Sequence, residues 1–199
     1  MFRKINLLIL LAASLVSFLS FSANAKGKLT LYCSVEIDVC EILVQAFEKE
    51  TGIDVAMTRK SSGETFAQIK AEASNPKGDV WFGGTGDPHL TAAQEGLTYE
   101  YKSIHFDDLL PAAQNQAING NYQTVGIYVG ALGFGYNKDI IASKGLPEPK
   151  SWEDLTDPVY KGEIQIANPN SSGTAYTTLA TILQIFGEEK GWDYMKALH

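Results

Sequence analysis

Four short stretches of this chain combine hydroxyls, small residues and backbone donors in a pattern suited to holding an anion. They are Cys33-Ser34, Ser61-Ser62-Gly63-Glu64-Thr65, Gly83-Gly84-Thr85-Gly86-Asp87 and Asn170-Ser171-Ser172-Gly173-Thr174. Each follows a strand-like apolar run and leads into a helical pattern. The first turn of a helix leaves N–H donors unpaired and carries partial positive charge, and small residues let a ligand reach them. For any one turn, simple helix capping by Ser61, Asp87 or Asn170 is explanation enough. Four such turns, all at the same ends of the strands, predict a cleft for a polar anion. The expected ligand-binding residues are Ser34, Ser61, Ser62, Gly63, Gly84, Thr85, Ser171, Ser172, Gly173 and Thr174. Arg59 and Lys60, just before the serine turn, either add positive charge there or stand in solvent.

Catalytic and cofactor patterns are thin. The chain has no G-x-S-x-G elbow and no H-E-x-x-H, and His89, His105 and His199 are scattered. Gly83-Gly84-Thr85-Gly86 lacks dinucleotide spacing, and no Walker lysine follows it. Two cysteines without clustered histidine argue against zinc. A glycosidase carboxylate pair stays open, since acids are plentiful. The expectation is a binding protein without catalytic residues, metal or cofactor.

The elements that must carry these turns alternate between strand and helix. Residues 28–33 (KLTLYC) read as a strand. Asp38 and Glu41 fit a capping box that opens a helix with apolar Ile42, Leu43, Ala46 and Phe47 on one face, stopped by Gly52. Residues 53–58 form the next strand, and Ser61 with Glu64 caps a second helix. Residues 79–82 (DVWF) form a third strand, with Asp87-Pro88 as N-cap and first helical residue. This order predicts an α/β fold with a parallel sheet. Beyond it, the glycine-laced runs 124–129 and 131–136 read as strands, 137–143 as a short helix, and residues 151–155 as a capped turn. Residues 162–167 (GEIQIA) read as another strand, ahead of two helices ending near Gly187 and His199.

Composition sets the compartment and excludes some partners. The 199 residues carry 16 basic and 23 acidic side chains, a net charge of −7. Such a chain repels phosphate backbones, so nucleic acid is not an expected partner. Residues 1–25 show Arg3 and Lys4, an apolar run over 7–21 and Ala23-Asn24-Ala25, the pattern of a cleaved secretory signal with Lys26 as the new first residue. The apolar run is short of the roughly 20 residues that span a membrane. In an oxidising compartment Cys33 and Cys40 are expected to pair, two buried thiols being the other reading. Bridged Cα atoms lie about 4.4–6.8 Å apart, whereas seven helical steps would separate them by roughly 10.5 Å, so one helix cannot hold both.

Taken in order, KLTLYCSVE, MTRKSSGETFAQIKAE, GDVWFGGTGDP, VGIYVGALGFGYN and SWEDLTDPVYKGEIQIANPNSSGTAYT resemble a bacterial periplasmic solute-binding protein of an ABC importer. The resemblance is strongest to the group of ferric-ion-binding proteins and their sugar-phosphate-binding relatives. It implies a two-lobed α/β clamp of the type II periplasmic-binding-protein kind, closing on ligand between its lobes. Residues 26–123 would form lobe one, 124–136 the hinge crossing and first strand of lobe two, and 137–199 a partial lobe two. Family members are longer, so the resemblance implies a C-terminally truncated chain with its second lobe incomplete. Ferric relatives use a histidine and an acid near the first strand, where this chain has Cys33-Ser34-Val35-Glu36. The serine turns resemble instead the sugar-phosphate binders, and His199 falls where those relatives begin a further ligand-contacting turn. The implied protein is a periplasmic monomer that binds a sugar phosphate or related organophosphate and delivers it to an inner-membrane ABC permease. A ferric-iron receptor and a secreted phosphate-ester hydrolase are the alternatives.

Overall fold

The computed structural model describes residues 27–199, so the expected signal segment and its expected cleavage point fall outside the described residues. Strands β1 (Lys28–Cys33), β2 (Asp54–Arg59) and β3 (Val80–Phe82) form one parallel sheet in the order β2-β1-β3. Parallel neighbours need crossovers, and helices α1 (Ile37–Thr51) and α2 (Ser62–Ala71) supply them. The C-terminal half of β1, flanked on both sides, is the best-buried stretch of the sheet, with Tyr32 and Cys33 in the core. Register pairs Cys33 with Arg59 on one side and with Phe82 on the other, so all three strands end level. That common edge is what lines up the turns that follow them.

The chain continues through α3 (Gly86–Gln94), a 3-10 turn at Phe106–Asp108, α4 (Pro111–Asn119) and α5 (Lys138–Lys144). Two further 3-10 turns, Glu153–Thr156 and Pro158–Tyr160, precede α6 (Gly173–Phe186) and α7 (Glu188–Leu198). An aromatic cluster anchors this part. Phe134 meets Trp152 edge-on, Phe186 stacks on Tyr194, and the Tyr194 hydroxyl donates to the Trp152 carbonyl at 2.6 Å. Burial pushes the Tyr194 phenol up to about 12. No helix among the described residues is long and apolar enough to cross a membrane.

The expected α/β alternation holds, and Cys33 and Cys40 are disulfide-bonded with Cα atoms 6.3 Å apart. Both are fully buried, one ending β1 and the other in the first turn of α1.

Other expectations need correction. Asp38 does not cap α1, because the helix begins at Ile37 with Glu36 as N-cap, and Cys40 N–H already bonds the Glu36 carbonyl at 3.1 Å. Asp87 does not cap α3, because extended Thr85 takes that place and the helix starts at Gly86. Asn170 yields to Ser172, whose hydroxyl accepts from Ala175 N–H at 3.3 Å. Residues 124–129, 131–136 and 164–167 have no regular secondary structure and belong to no sheet, and residues 162–163 lie in a turn. A strand is a hydrogen-bonded ladder, and these runs have no ladder partner among the described residues. Their apolar side chains stay correspondingly open, Ile127 at 47% and Val129 at 78% exposure. The α4 helix was not visible in the sequence. Its apolar pattern is weak, and its clearest signal is Pro111 at the first helical position.

Candidate functional site

The level ends of the three strands deliver Ser34, Ser61-Ser62 and Gly83-Gly84-Thr85 to one place. Ser34 follows β1 directly, and its N–H bonds the Phe82 carbonyl at 2.8 Å, which fastens the first turn to the third. Lys60 N–H bonds the Cys33 carbonyl at 3.0 Å and fastens the second. The helices that leave these turns, α2 and α3, therefore point their N-termini at a shared spot. The fourth turn arrives from far along the chain. Gly63 N–H donates to the Ser171 carbonyl at 3.1 Å, and the Ser61 hydroxyl reaches the same carbonyl at 2.5 Å. The N-terminus of α6 thus joins the other two.

Contact at the centre is close enough to require glycine. A Cβ on Gly63 would stand 2.7 Å from the Asn170 and Ser171 carbonyl oxygens. One on Gly173 would run into the hydroxyls of Thr85 and Ser62, and one on Gly84 into the Ser62 hydroxyl. Gly83 and Gly84 also have φ of +79° and +89°, a double left-handed step that side chains disfavour. Around these glycines lie buried hydroxyls. Ser34 is 8% exposed, Ser62 4% and Thr65 not at all. Ser34 and Thr65 share a hydrogen bond at 3.1 Å, and Ser62 accepts from Thr85 N–H at 3.3 Å. The Thr85 hydroxyl is buried and has no hydrogen-bond partner. Buried polar atoms are nearly always paired, so an orphan donor here needs an explanation.

The charges around the site are arranged away from its centre. Glu64 accepts from Ser61 N–H at 3.1 Å and from its hydroxyl at 2.8 Å, and these bonds hold its carboxyl below the usual carboxylate range. The capping box expected of Ser61 and Glu64 is thus present at the start of α2. Arg59 donates from Nε to the Val35 carbonyl at 3.0 Å, and Lys60 from Nζ to Gln68 at 2.5 Å. Positive potential at the centre therefore comes mainly from three helix N-termini. Among the described residues no three His, Cys, Asp or Glu side chains come together to hold a metal ion.

Of the expected residues, Ser34, Ser61, Ser62, Gly63, Gly84, Thr85, Ser171 and Gly173 meet in this one cluster. Ser172 borders it as the cap of α6. Thr174 lies one residue further on and is exposed. His199 is exposed beyond the end of α7, and no hydrogen bond or ion pair joins it to the turns.

The sequence reading missed the residues that support the cluster. The Tyr128 hydroxyl accepts from Gly84 N–H at 2.8 Å and donates to the Gly84 carbonyl at 3.0 Å. Trp81 donates from Nε1 to the Ser34 hydroxyl at 2.9 Å, and its ring stacks on His89. Only the aromatic types hinted at a role, because these partners lie far apart in sequence.

Comparison with known proteins gives a consistent picture. The family profile described as bacterial extracellular solute-binding protein matches residues 82–199. An uncharacterised protein of Haemophilus influenzae is 47% identical over 202 residues, covering 100% of this chain and 58% of the relative. The solved structure of the periplasmic binding protein AfuA from Actinobacillus pleuropneumoniae, with exogenous fructose 6-phosphate bound, is 45% identical with a TM-score of 0.83. It covers 88% of this chain and 55% of its own. The periplasmic binding protein P5PA is 42% identical with a TM-score of 0.82, covering 86% and 55%. The chain thus spans a little over half the length of these relatives.

Proposed function

This chain belongs to the bacterial extracellular solute-binding protein family, and from that premise we propose that it binds a phosphorylated sugar or related organophosphate for import. The observation that carries the reading is the convergence of three helix N-termini and buried hydroxyls on the partnerless Thr85 hydroxyl. Inward-facing hydroxyls and N–H groups suit a tetrahedral anion with several acceptor oxygens, and each charge-assisted bond is worth about 1.5–3 kcal/mol. The fructose 6-phosphate held by AfuA supports the ligand class.

In this reading residues 26–123 are lobe one, 124–136 the crossing and 137–199 part of lobe two. The ligand takes the place of the direct contacts that Ser62, Gly63 and Thr85 of the first make with Ser171–Gly173 of the second. Ser172 and Thr174 join the grip when the lobes adjust to ligand. The protein is then an exported, periplasmic monomer, a receptor rather than an enzyme, and its macromolecular partner is an inner-membrane ABC permease.

Calorimetric titration tests this. The full-length exported protein should bind fructose 6-phosphate with one-to-one stoichiometry and release no inorganic phosphate. Equal affinity for fructose would remove the phosphate from the reading. Turnover of the ester would make the protein a hydrolase, and tight binding of ferric ion alone would make it an iron receptor.

A further inference from the structure

We propose that His89 is a positioning residue of the anion site, working with Trp81 to fix the ends of β1 and β3 against each other. The inference rests on the organophosphate reading above. His89 lies in the first turns of α3 but turns back across the helix start, placing Nε2 2.8 Å from the Gly83 carbonyl. A carbonyl only accepts, so Nε2 carries the hydrogen and Nδ1 is left as the acceptor of a neutral ring. Burial favours that neutral form. The same ring stacks on Trp81, with centroids 3.6 Å apart and planes 21° from parallel. Trp81 in turn donates from Nε1 to Ser34, which is bonded to Thr65 on α2.

One side-chain pair thus reaches two of the turns, through Gly83 on one side and Ser34 on the other. The need for such a brace follows from the backbone. Gly83 and Gly84 both have positive φ, and a diglycine step has little conformational preference of its own. Tyr128 holds Gly84 from one side, but its side chain is largely exposed. His89 grips the turn from the other side, through a part-buried hydrogen bond. An ordinary core histidine would spend its N–H anywhere in the interior. This one spends it on Gly83, the residue before the glycine that packs against the Ser62 hydroxyl.

The test compares His89→Phe, which keeps the stack and drops the donor, with His89→Gln, whose amide nitrogen can still reach the carbonyl. In ligand-free protein, hydrogen exchange across residues 83–86 should quicken in His89→Phe and slow again in His89→Gln. Affinity for fructose 6-phosphate should fall about three- to tenfold in the first, the effect of one neutral hydrogen bond, and recover in the second. Trp81→Phe should weaken binding through Ser34 while leaving exchange at 83–86 unchanged. Equal exchange in wild type and His89→Phe, or equal behaviour of the Phe and Gln variants, overturns the proposal. If wild-type protein does not bind the sugar phosphate, the functional reading falls, and the exchange comparison still decides whether His89 holds the turn.

Discussion

Replacing Gly84 with alanine separates backbone strain from damage to the site. Gly84 has φ of +89°, and its added Cβ would meet the Ser62 hydroxyl and approach Ser34 Cβ to 3.1 Å. Left-handed backbone costs a residue with a side chain roughly 1–2 kcal/mol. Overpacking a tight site adds about 1–3 kcal/mol. A total of ~3 kcal/mol lowers the melting temperature by about 6–12 °C in a chain of this size. Gly52→Ala is the control, since Gly52 also has positive φ, +72°, but nothing within 4 Å of its added Cβ. It should lose only the strain, about 3–6 °C. Calorimetry gives both melting points, and titration with fructose 6-phosphate gives the second readout. Gly84→Ala should weaken binding more than about tenfold, because the Ser62 hydroxyl and the Thr85 N–H it receives are displaced together. Gly52→Ala should bind as wild type. If the two variants melt together and bind equally well, the packing argument at the diglycine turn is wrong.

Reducing the Cys33–Cys40 bridge frees a short loop in the unfolded chain and should cost about 2–3 kcal/mol, read as a lower denaturant midpoint with reductant present; an unchanged midpoint refutes it. Burial depresses the His89 pKa, so the folded state binds fewer protons than the unfolded chain below pH about 6.5. The stability this group contributes is full above that pH and is lost as pH falls from there through the folded value. Urea midpoints at a series of pH values should show that acid limb, and His89→Phe should flatten it. Ser172→Ala removes the cap of α6 at a cost of about 1 kcal/mol and, if lobe closure brings its hydroxyl to the anion, weakens sugar-phosphate binding about ten- to a hundredfold. Lower stability with unchanged affinity would leave Ser172 as a cap alone.

What could be read in the sequence was local. β1 was readable from KLTLYC, the start of α2 from Ser61 and Glu64, and the end of α1 from Gly52, because each signal lies within a few residues of the structure it specifies. The grouping of the turns was also legible, since parallel strands joined by helices must present their C-terminal ends on one side. Helix starts were less so. Asp38 and Asp87 have the right chemistry for caps, yet Glu36 and Thr85 hold the extended backbone that an N-cap requires. The runs 124–136 and 162–167 have strand-like composition, but composition carries no information about a ladder partner. Trp81 and Tyr128 were missed for the same reason. Their partners Ser34 and Gly84 lie 47 and 44 residues away, and His89 looked like one of three scattered histidines.

The central claim is that the converging turns hold a phosphate, and a crystal structure of the full-length protein soaked with fructose 6-phosphate tests it most directly. Phosphate oxygens should lie within hydrogen-bond distance of Ser62 and Thr85 from one lobe and the start of α6 from the other, with the Thr85 hydroxyl now paired. A phosphate bound elsewhere, with Thr85 still unpartnered and only sugar hydroxyls at the turns, would contradict the account.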